Sequence, residues 1–383
     1  MPLKRELDRL LIFARRHGVK ATVAELATRA TRKVQAGDNP AAVHIEVSNC
    51  CNLHCEYCVL DEATHGKKIM SEETFETLVP VLAHARRIDL SGLAEPLMNT
   101  HFIALLAKAR AAAPQAHIAM CTNATLLTEA VSEQLVASGL DELVFSLDGI
   151  DPAQVDAVRH GGSLDTVLQN IRTLQQVKKR LGADKPVLSA TVVLQKENLG
   201  QLPGIVRLAA ELGCEGVSVN GLEPYSAPLV GHAIWADPAA VPELASALRE
   251  AQEVARSLGI ELRLPAMSPQ APLCPQASRP MVLADGTVVP CSVLAYERLS
   301  LLAVDDEGEI VHRQGVTAPL EFGNIADGGL AAVWNSDEYH EFRRRVRNGD
   351  FPDPCRSCLM KHNVICATPP LTAEESIATI PHG

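Results

Sequence analysis

The chain has 383 residues, a formal net charge of -11 and eleven cysteines. That length suits about two domains, no apolar run approaches the roughly 18 residues of a membrane span, and the acidic balance argues against nucleic acid, whose phosphates demand Lys/Arg patches. Cysteines this numerous, clustered and without a secretion signal point to metal ligation more than to disulfides.

Residues 1–40 read as a helical cap, with helices over 3–17 and 22–35 broken by Gly18 and closed by Asp38-Asn39-Pro40. The start is amphipathic and charged, contains Glu6 and Asp8, and fits no secretory signal. A cytoplasmic location is expected. Residues 1–37 hold nine Lys/Arg against three Asp/Glu; a solvated cap on the next domain is the preferred reading, and contact with a membrane surface or an acidic partner is the alternative.

From residue 41 to 265, short apolar runs at 43–48, 87–90, 117–122, 142–147, 187–194, 216–220 and 260–264 alternate with amphipathic segments at 71–85, 103–113, 127–138, 164–181, 199–212 and 240–258. Such alternation predicts βαβ units and a parallel sheet. Six or so units suit a barrel or part of one, with the chemistry on loops at the carboxyl ends of the strands.

After the first strand comes Cys51-Asn52-Leu53-His54-Cys55-Glu56-Tyr57-Cys58. Three thiols at CxxxCxxC spacing can hold one soft metal centre. On a four-iron cubane, three thiolates leave one iron open to a small molecule, whereas structural zinc usually takes four ligands as two separated pairs. Zinc or plain buried thiols remain the alternative on this loop alone. The spacing, with Tyr57 before the third Cys, resembles the signature of the radical S-adenosylmethionine (SAM) superfamily. The resemblance implies that Cys51, Cys55 and Cys58 hold a [4Fe-4S] cluster, and that its open iron binds the amino and carboxylate groups of SAM.

Other strand ends extend the resemblance. Ser91-Gly92-Leu93-Ala94-Glu95-Pro96-Leu97 is similar to the family's "GGEP" segment, with Ala94 where the family usually has Gly. It implies that Gly92 lets the backbone approach and that Glu95 meets the SAM ammonium. Cys121-Thr122-Asn123-Ala124 is similar to "TNGxLL", Ser146-Leu147-Asp148-Gly149 to "SlDG", and Arg159-His160-Gly161-Gly162 to "iRgg". By the same resemblance Tyr57, Asn123, Ser146 and Arg159 line the SAM pocket, with Ser146 and Arg159 at the ribose or carboxylate. Singly, each such residue suits a strand-end turn or helix cap equally well. Residues 220–225 are expected on the substrate side of the barrel.

Beyond residue 265 the composition changes. Met281 to Val289 reads as a hairpin with a type I′ turn at Asp285-Gly286, returning Cys291 towards Cys274. A helix opens at Ser336-Asp337 and stops at Asn348-Gly349, followed by Cys355-Arg356-Ser357-Cys358. A four-Cys zinc ribbon would have this spacing too. With Phe322-Gly323-Asn324-Ile325 and Val333-Trp334-Asn335-Ser336, the pattern resembles the SPASM/twitch extension of radical SAM enzymes. That implies a second, auxiliary [4Fe-4S] cluster on Cys274, Cys291, Cys355 and Cys358, over residues 266–370, before a tail at 371–383. Cys366 misses the spacing of a full SPASM set and is read as spare. Cys50, Cys121 and Cys214 are read as buried thiols.

The expected fold is therefore α/β: a partial (β/α)6 TIM-like barrel with a small α+β cysteine-rich twitch/SPASM-type extension. The resemblance implies reductive cleavage of SAM to a 5′-deoxyadenosyl radical, hydrogen abstraction from substrate, and transfer of the resulting electron to the auxiliary cluster. The outcome would be a net oxidation or cross-link, and an external donor such as flavodoxin or ferredoxin would supply reducing equivalents. Relatives modify ribosomal peptides or oxidise small molecules, and a small molecule or a free-standing peptide is the expected substrate. A non-catalytic zinc-stapled protein is the competing class.

Overall fold

The alternating segments fold as six strand–helix units and a closing strand in the computed structural model, which describes residues 39–60, 66–234, 237–265, 274–305, 310–353 and 355–362. The expected N-terminal helices, the tail and Cys366 lie outside the described residues. In chain order the strands are β1 (Ala42–Ile45), the two-residue β2 (His54–Cys55), β3 (Arg87–Asp89), β4 (His117–Thr122), β5 (Glu142–Ser146), the two-residue β6 (Arg159–His160), β7 (Val187–Leu194), β8 (Gly216–Gly221) and β9 (Glu261–Arg263). The C-terminal part adds β10 (Met281–Val282), β11 (Val288–Val289), β12 (Arg298–Val304) and β13 (Ile310–Thr317).

The main sheet runs β11-β10-β1-β3-β4-β5-β7-β8-β9. It is parallel except between β10 and β11. The fully buried positions alternate along the strands and so share one face: Val43 and Ile45, Leu143 and Phe145, and Ala190 and Val192 are fully buried, while Val144, Thr191 and Val193 between or beside them are half-buried. The helix Leu164–Leu181 shows how sequence dictates the outer layer. It buries Leu164, Val167, Ile171, Leu174 and Val177 at helical spacing, carries Lys178, Lys179 and Arg180 in its last turn, and stops at Gly182 with φ +64°.

Three expected elements differ. The helix over 71–85 splits into Glu72–Glu76 and Val79–Leu82, because Pro80 has no N–H to continue the first. The segment over 199–212 begins as a 3-10 stretch, Lys196–Gln201, and becomes α-helical from Leu202, with Pro203 in its first turn. In the β10–β11 hairpin, Gly286 N–H donates to Leu283 O and Leu283 N–H to Thr287 O, both at 2.8 Å. Ala284 and Asp285 are thus the central residues, neither with positive φ, while Gly286 takes φ +86°. This is a three-residue loop with a glycine bulge, and it replaces the type I′ turn.

The hairpin also lies on the barrel rather than apart from it. β10 pairs in parallel with β1, His44 opposite Met281 and Ile45 opposite Val282. A second antiparallel hairpin, β12–β13, was not evident from hydrophobic spacing. The helix Asp337–Arg347 forms as expected, capped by Ser336 and ended at Asn348 before Gly349 with φ +79°. Its Tyr339 is fully buried and stacks on Phe322, ring centroids 4.1 Å apart.

Candidate active site

The thiol triplet lies where the chain leaves β1. Ser48 caps the turn by accepting from Cys50 N–H at 3.0 Å, and Asn49 clamps the far side of the loop, donating to Gly66 O at 2.9 Å and accepting from Lys68 N–H at 2.7 Å. The loop is then strapped down by β2, which pairs antiparallel with β6 so that Cys55 stands opposite Arg159. Glu56 N–H donates to Val158 O at 3.0 Å, and Cys58 N–H closes a turn on Cys55 O at 3.0 Å. Cys51 and Cys55 are half-buried and Cys58 is exposed.

Two hydrogen-bonded chains brace this loop. On one side, Glu95 is 1% exposed. Its Oε1 accepts from Leu97 N–H at 3.0 Å and Thr122 Oγ1 at 2.9 Å, and its Oε2 from Asn123 N–H at 2.7 Å. Glu95 N–H in turn donates to Cys50 O at 3.1 Å. Burial pushes its carboxyl above the usual range, against these three donors. Asn123 donates to Asn52 Oδ1 at 3.0 Å and faces the Cys51 sulfur at 3.8 Å. Ala124 follows with φ +60°, in the left-handed region that the glycine of the resembled motif would occupy freely. Gly92 presses on Glu46: a Cβ there would stand 2.4 Å from Glu46 Cγ.

On the other side, Asp148 Oδ2 accepts from the Tyr57 hydroxyl, from Arg159 Nε at 2.6 Å and from Arg159 Nη2 at 2.5 Å, while its Oδ1 takes Val193 N–H at 2.7 Å. Asp148 stands two residues past Ser146, which ends β5 half-buried. The fork of Arg159 that the sequence assigned to SAM thus engages a carboxylate of the chain through Nε and Nη2. Cys50 and Cys214 are buried as expected, but Cys121 is half-buried. Glu95 and Arg159 act on its thiol, which burial pushes up to about 12.

Glu46 joins this region to the C-terminal part. It is fully buried, accepts from the Tyr296 hydroxyl at 2.5 Å, and has its carboxyl raised to about 7 by burial.

The second thiol group comes from three places. Cys274 precedes the 3-10 turn Pro275–Ser278, Cys291 precedes Ser292–Leu294, and Cys355 and Cys358 flank a turn in which Cys358 N–H donates to Cys355 O at 3.2 Å. Burial raises the proton affinity of these thiols, and they add to it in one another: Cys358 acts on Cys274 and Cys355, and Cys274, Cys355 and Cys358 act on Cys291. Cys51, Cys55 and Cys58 are coupled in the same way.

Both sets carry the donor chemistry a thiolate ligand needs. Backbone N–H groups meet the sulfurs: Leu53 at Cys51, at 3.4 Å, and Leu60 at Cys58; Gln276 and Ala277 at Cys274; Leu294 at Cys291; Met360 and Lys361 at Cys358. Donors aimed at sulfur favour the thiolate and work against the burial that raises these thiols, and thiolates are what an iron–sulfur cluster takes as ligands, so the donor chemistry of both sets fits one. Among the described residues no three His, Cys, Asp or Glu side chains converge closely enough for a single metal ion; the thiolates of a cubane each hold a different iron and need not.

The structure brings Tyr57, Gly92, Glu95, Asn123 and Arg159 around the first loop, with Ser146 at the neighbouring strand end. Two participants were missed. Asp148 stood in the quoted Ser146-Leu147-Asp148-Gly149 segment, but its partners lie up to 91 residues away. Arg298, which grips Glu223 at the end of β8, carries no local signal.

A family model described as the radical SAM superfamily matches residues 45–209, and one described as an iron–sulfur cluster-binding domain (SPASM) matches residues 274–359. A Pyrococcus furiosus protein named tungsten-containing aldehyde ferredoxin oxidoreductase cofactor-modifying protein is 25% identical, over 83% of this chain and 87% of its own. A PqqA peptide cyclase from Xanthomonas campestris is 26% identical, over 83% and 79%. The crystal structure of Streptococcus suis SuiB bound to S-adenosylmethionine superposes with a TM-score of 0.59 at 15% identity, covering 85% of this chain and 73% of that one. That last likeness speaks to the fold alone. Among the described residues, no helix is long and apolar enough to cross a membrane.

Proposed function

This chain is a radical SAM protein with a C-terminal SPASM iron–sulfur cluster-binding domain, and on that footing we propose that it is a maturase that modifies a free-standing peptide substrate by oxidation or cross-linking. Bound to the chain, the cofactors would supply reductive cleavage of SAM to a 5′-deoxyadenosyl radical at the first [4Fe-4S] cluster and an electron acceptor at the second.

In this reading Cys51, Cys55 and Cys58 hold the first cluster, and Cys274, Cys291, Cys355 and Cys358 the second. Glu95 holds the Gly92 loop against the end of β4 and keeps one lone-pair direction of its carboxylate for an ammonium, since three of about four are taken within the chain. Asn123 fixes Asn52 inside the thiol loop, and Ser146 lines the neighbouring strand end. Asp148 neutralises Arg159 and orients Tyr57, so the loop meets SAM already rigid.

The observation that carries this reading is the double bracing of one thiol loop, by Glu95 with Asn123 on one side and by Asp148 with Tyr57 and Arg159 on the other. A structural zinc staple would need four thiols there and no such bracing. The peptide class draws on the relatives named as PqqA peptide cyclases.

Anaerobic protein with SAM and a strong reductant is expected to release 5′-deoxyadenosine. Comparing peptides and metabolites of wild-type and deletion cells by mass spectrometry is expected to reveal a peptide whose mass changes. A colourless, zinc-loaded protein without iron or sulfide would overturn the enzyme reading, and a changed small metabolite with no changed peptide would overturn the substrate class.

A further inference from the structure

Past β8 the chain turns through Glu223-Pro224-Tyr225, and Arg298, the first residue of β12, reaches the same place from the C-terminal part. The guanidinium grips the carboxylate end-on, Nη1 at 3.0 Å from Oε2 and Nη2 at 3.0 Å from Oε1. The Tyr225 hydroxyl donates to the same Oε2 at 3.2 Å, and the Arg298 guanidinium stands 5.3 Å from the Tyr225 ring centroid. These contacts fix a cation whose side chain is only 7% exposed. Its Nε, on the other edge of the guanidinium, has no hydrogen-bond partner among the described residues. Leaving such a donor unsatisfied in the interior costs about 1–3 kcal/mol, so a fixed, buried N–H of this kind points to an acceptor from outside the polypeptide.

The neighbours indicate which acceptor. Cys291 and Cys358 lie within electrostatic reach of Arg298, and Glu223 within reach of Cys358. Tyr225 lies within reach of Cys58 in the first loop. The three side chains are thus within charge range of both thiol sets, Tyr225 of Cys58 and Arg298 of Cys291 and Cys358. Lys361 is a further cation acting on Cys274 and Cys355, but its ammonium is committed to Arg356 O.

We propose that Arg298 is a positioning residue for the auxiliary cluster: locked by Glu223 and Tyr225, it holds a buried N–H beside the cluster on Cys274, Cys291, Cys355 and Cys358, offsets the negative charge of Glu223 there, and so raises that cluster's affinity for an electron. Net charge, hydrogen bonds to sulfur and solvent exposure set the potential of such a cluster, and a buried charge is screened far less than one at the surface. Lysine would keep the charge and lose the two-pronged grip on Glu223. The inference rests on the two-cluster reading above.

The test is a redox titration of the anaerobic holoprotein, followed by electron paramagnetic resonance with iron counted for each variant. Arg298→Gln is expected to keep the iron of both clusters and to move the auxiliary midpoint to more negative potential, with the first cluster unmoved. Glu223→Gln removes the negative charge facing Cys358 and is expected to move the same midpoint the other way, and Arg298→Lys to move it less than Arg298→Gln. An unmoved auxiliary midpoint in iron-replete Arg298→Gln overturns the proposal. If that variant loses iron, Glu223→Gln decides, and an unmoved or more negative midpoint there overturns it. Wild-type protein with iron for one cluster only would instead overturn the reading of the second centre.

Discussion

Asp148 and Arg159, eleven residues apart in sequence, form a buried ion pair through two guanidinium nitrogens, with side chains 1% and 13% exposed. The same carboxylate oxygen takes the Tyr57 hydroxyl, so this one pair ties the thiol loop to the end of β5. Replacing Asp148 with Asn leaves a buried cation without its counter-charge, a change that costs about 3–5 kcal/mol where one partner of such a pair is removed. We expect a loss of stability of that order by chemical denaturation, together with weaker SAM binding by calorimetry. Wild-type values for both would show that the pair does not hold the loop.

Gly92 has no room for a side chain. A Cβ would lie 2.4 Å from Glu46 Cγ and 2.6 Å from Glu46 Oε1, inside the limit of real contacts. Gly92→Ala must displace a fully buried carboxylate and is expected to cost about 1–3 kcal/mol, as overpacking does. The double variant Gly92→Ala/Glu46→Ala should recover part of the loss attributable to the clash. A double variant no better than the sum of the two single losses would place the cost elsewhere.

Glu46 makes stability depend on pH. Burial raises its carboxyl to about 7 in the folded protein, above the value of roughly 4.3 in an unfolded chain. Between these values the folded state holds a proton that the unfolded state has lost. The contribution is therefore complete below pH ~4.3, declines as pH rises, and is lost above pH ~7. Glu46→Gln stays neutral throughout. Its stability relative to wild type, measured by denaturation from pH 5 to pH 8, should rise across that window by an amount on the order of 2–3 kcal/mol. A constant difference would mean that Glu46 is already ionised in the folded protein at pH 5.

The two thiol sets should be separable. Cys55→Ala is expected to abolish 5′-deoxyadenosine formation while retaining the iron of the second centre. Cys358→Ala is expected to lose auxiliary iron and keep the first cluster's resonance signal. Iron and sulfide analysis with resonance spectroscopy reads both, and an unchanged iron count in Cys358→Ala would remove Cys358 from the ligand set.

Much of the barrel was legible because local chemistry and tertiary packing agree there. The strands His117–Thr122 and Val187–Leu194 and the helix Leu164–Leu181 begin and end where their hydrophobic periods and caps require. The turn that holds Cys55 and Cys58 was legible from spacing, since a CxxC segment closes on itself locally, Cys58 N–H on Cys55 O. Long-range pairing was not. Asp148 reads locally as a strand-end turn residue, and only the fold brings Tyr57 to it. Arg298 opens a hairpin whose apolar positions lack a clear alternation. Pro80 was visible, yet the apolar period running through it suggested one helix where the structure has two.

The pairing of β10 with β1 has a mechanical meaning. Neighbouring strands of a sheet stand about 4.8 Å apart, at a register set by hydrogen bonds. Cys51 follows β1, and Cys291 follows the hairpin that begins with β10. One thiol of each set thus leaves the same sheet, Cys51 after β1 and Cys291 after β11 two strands away, so the spacing of those two departures follows from strand register. In the reading proposed above, the span an electron would cross is a dimension set when the sheet forms.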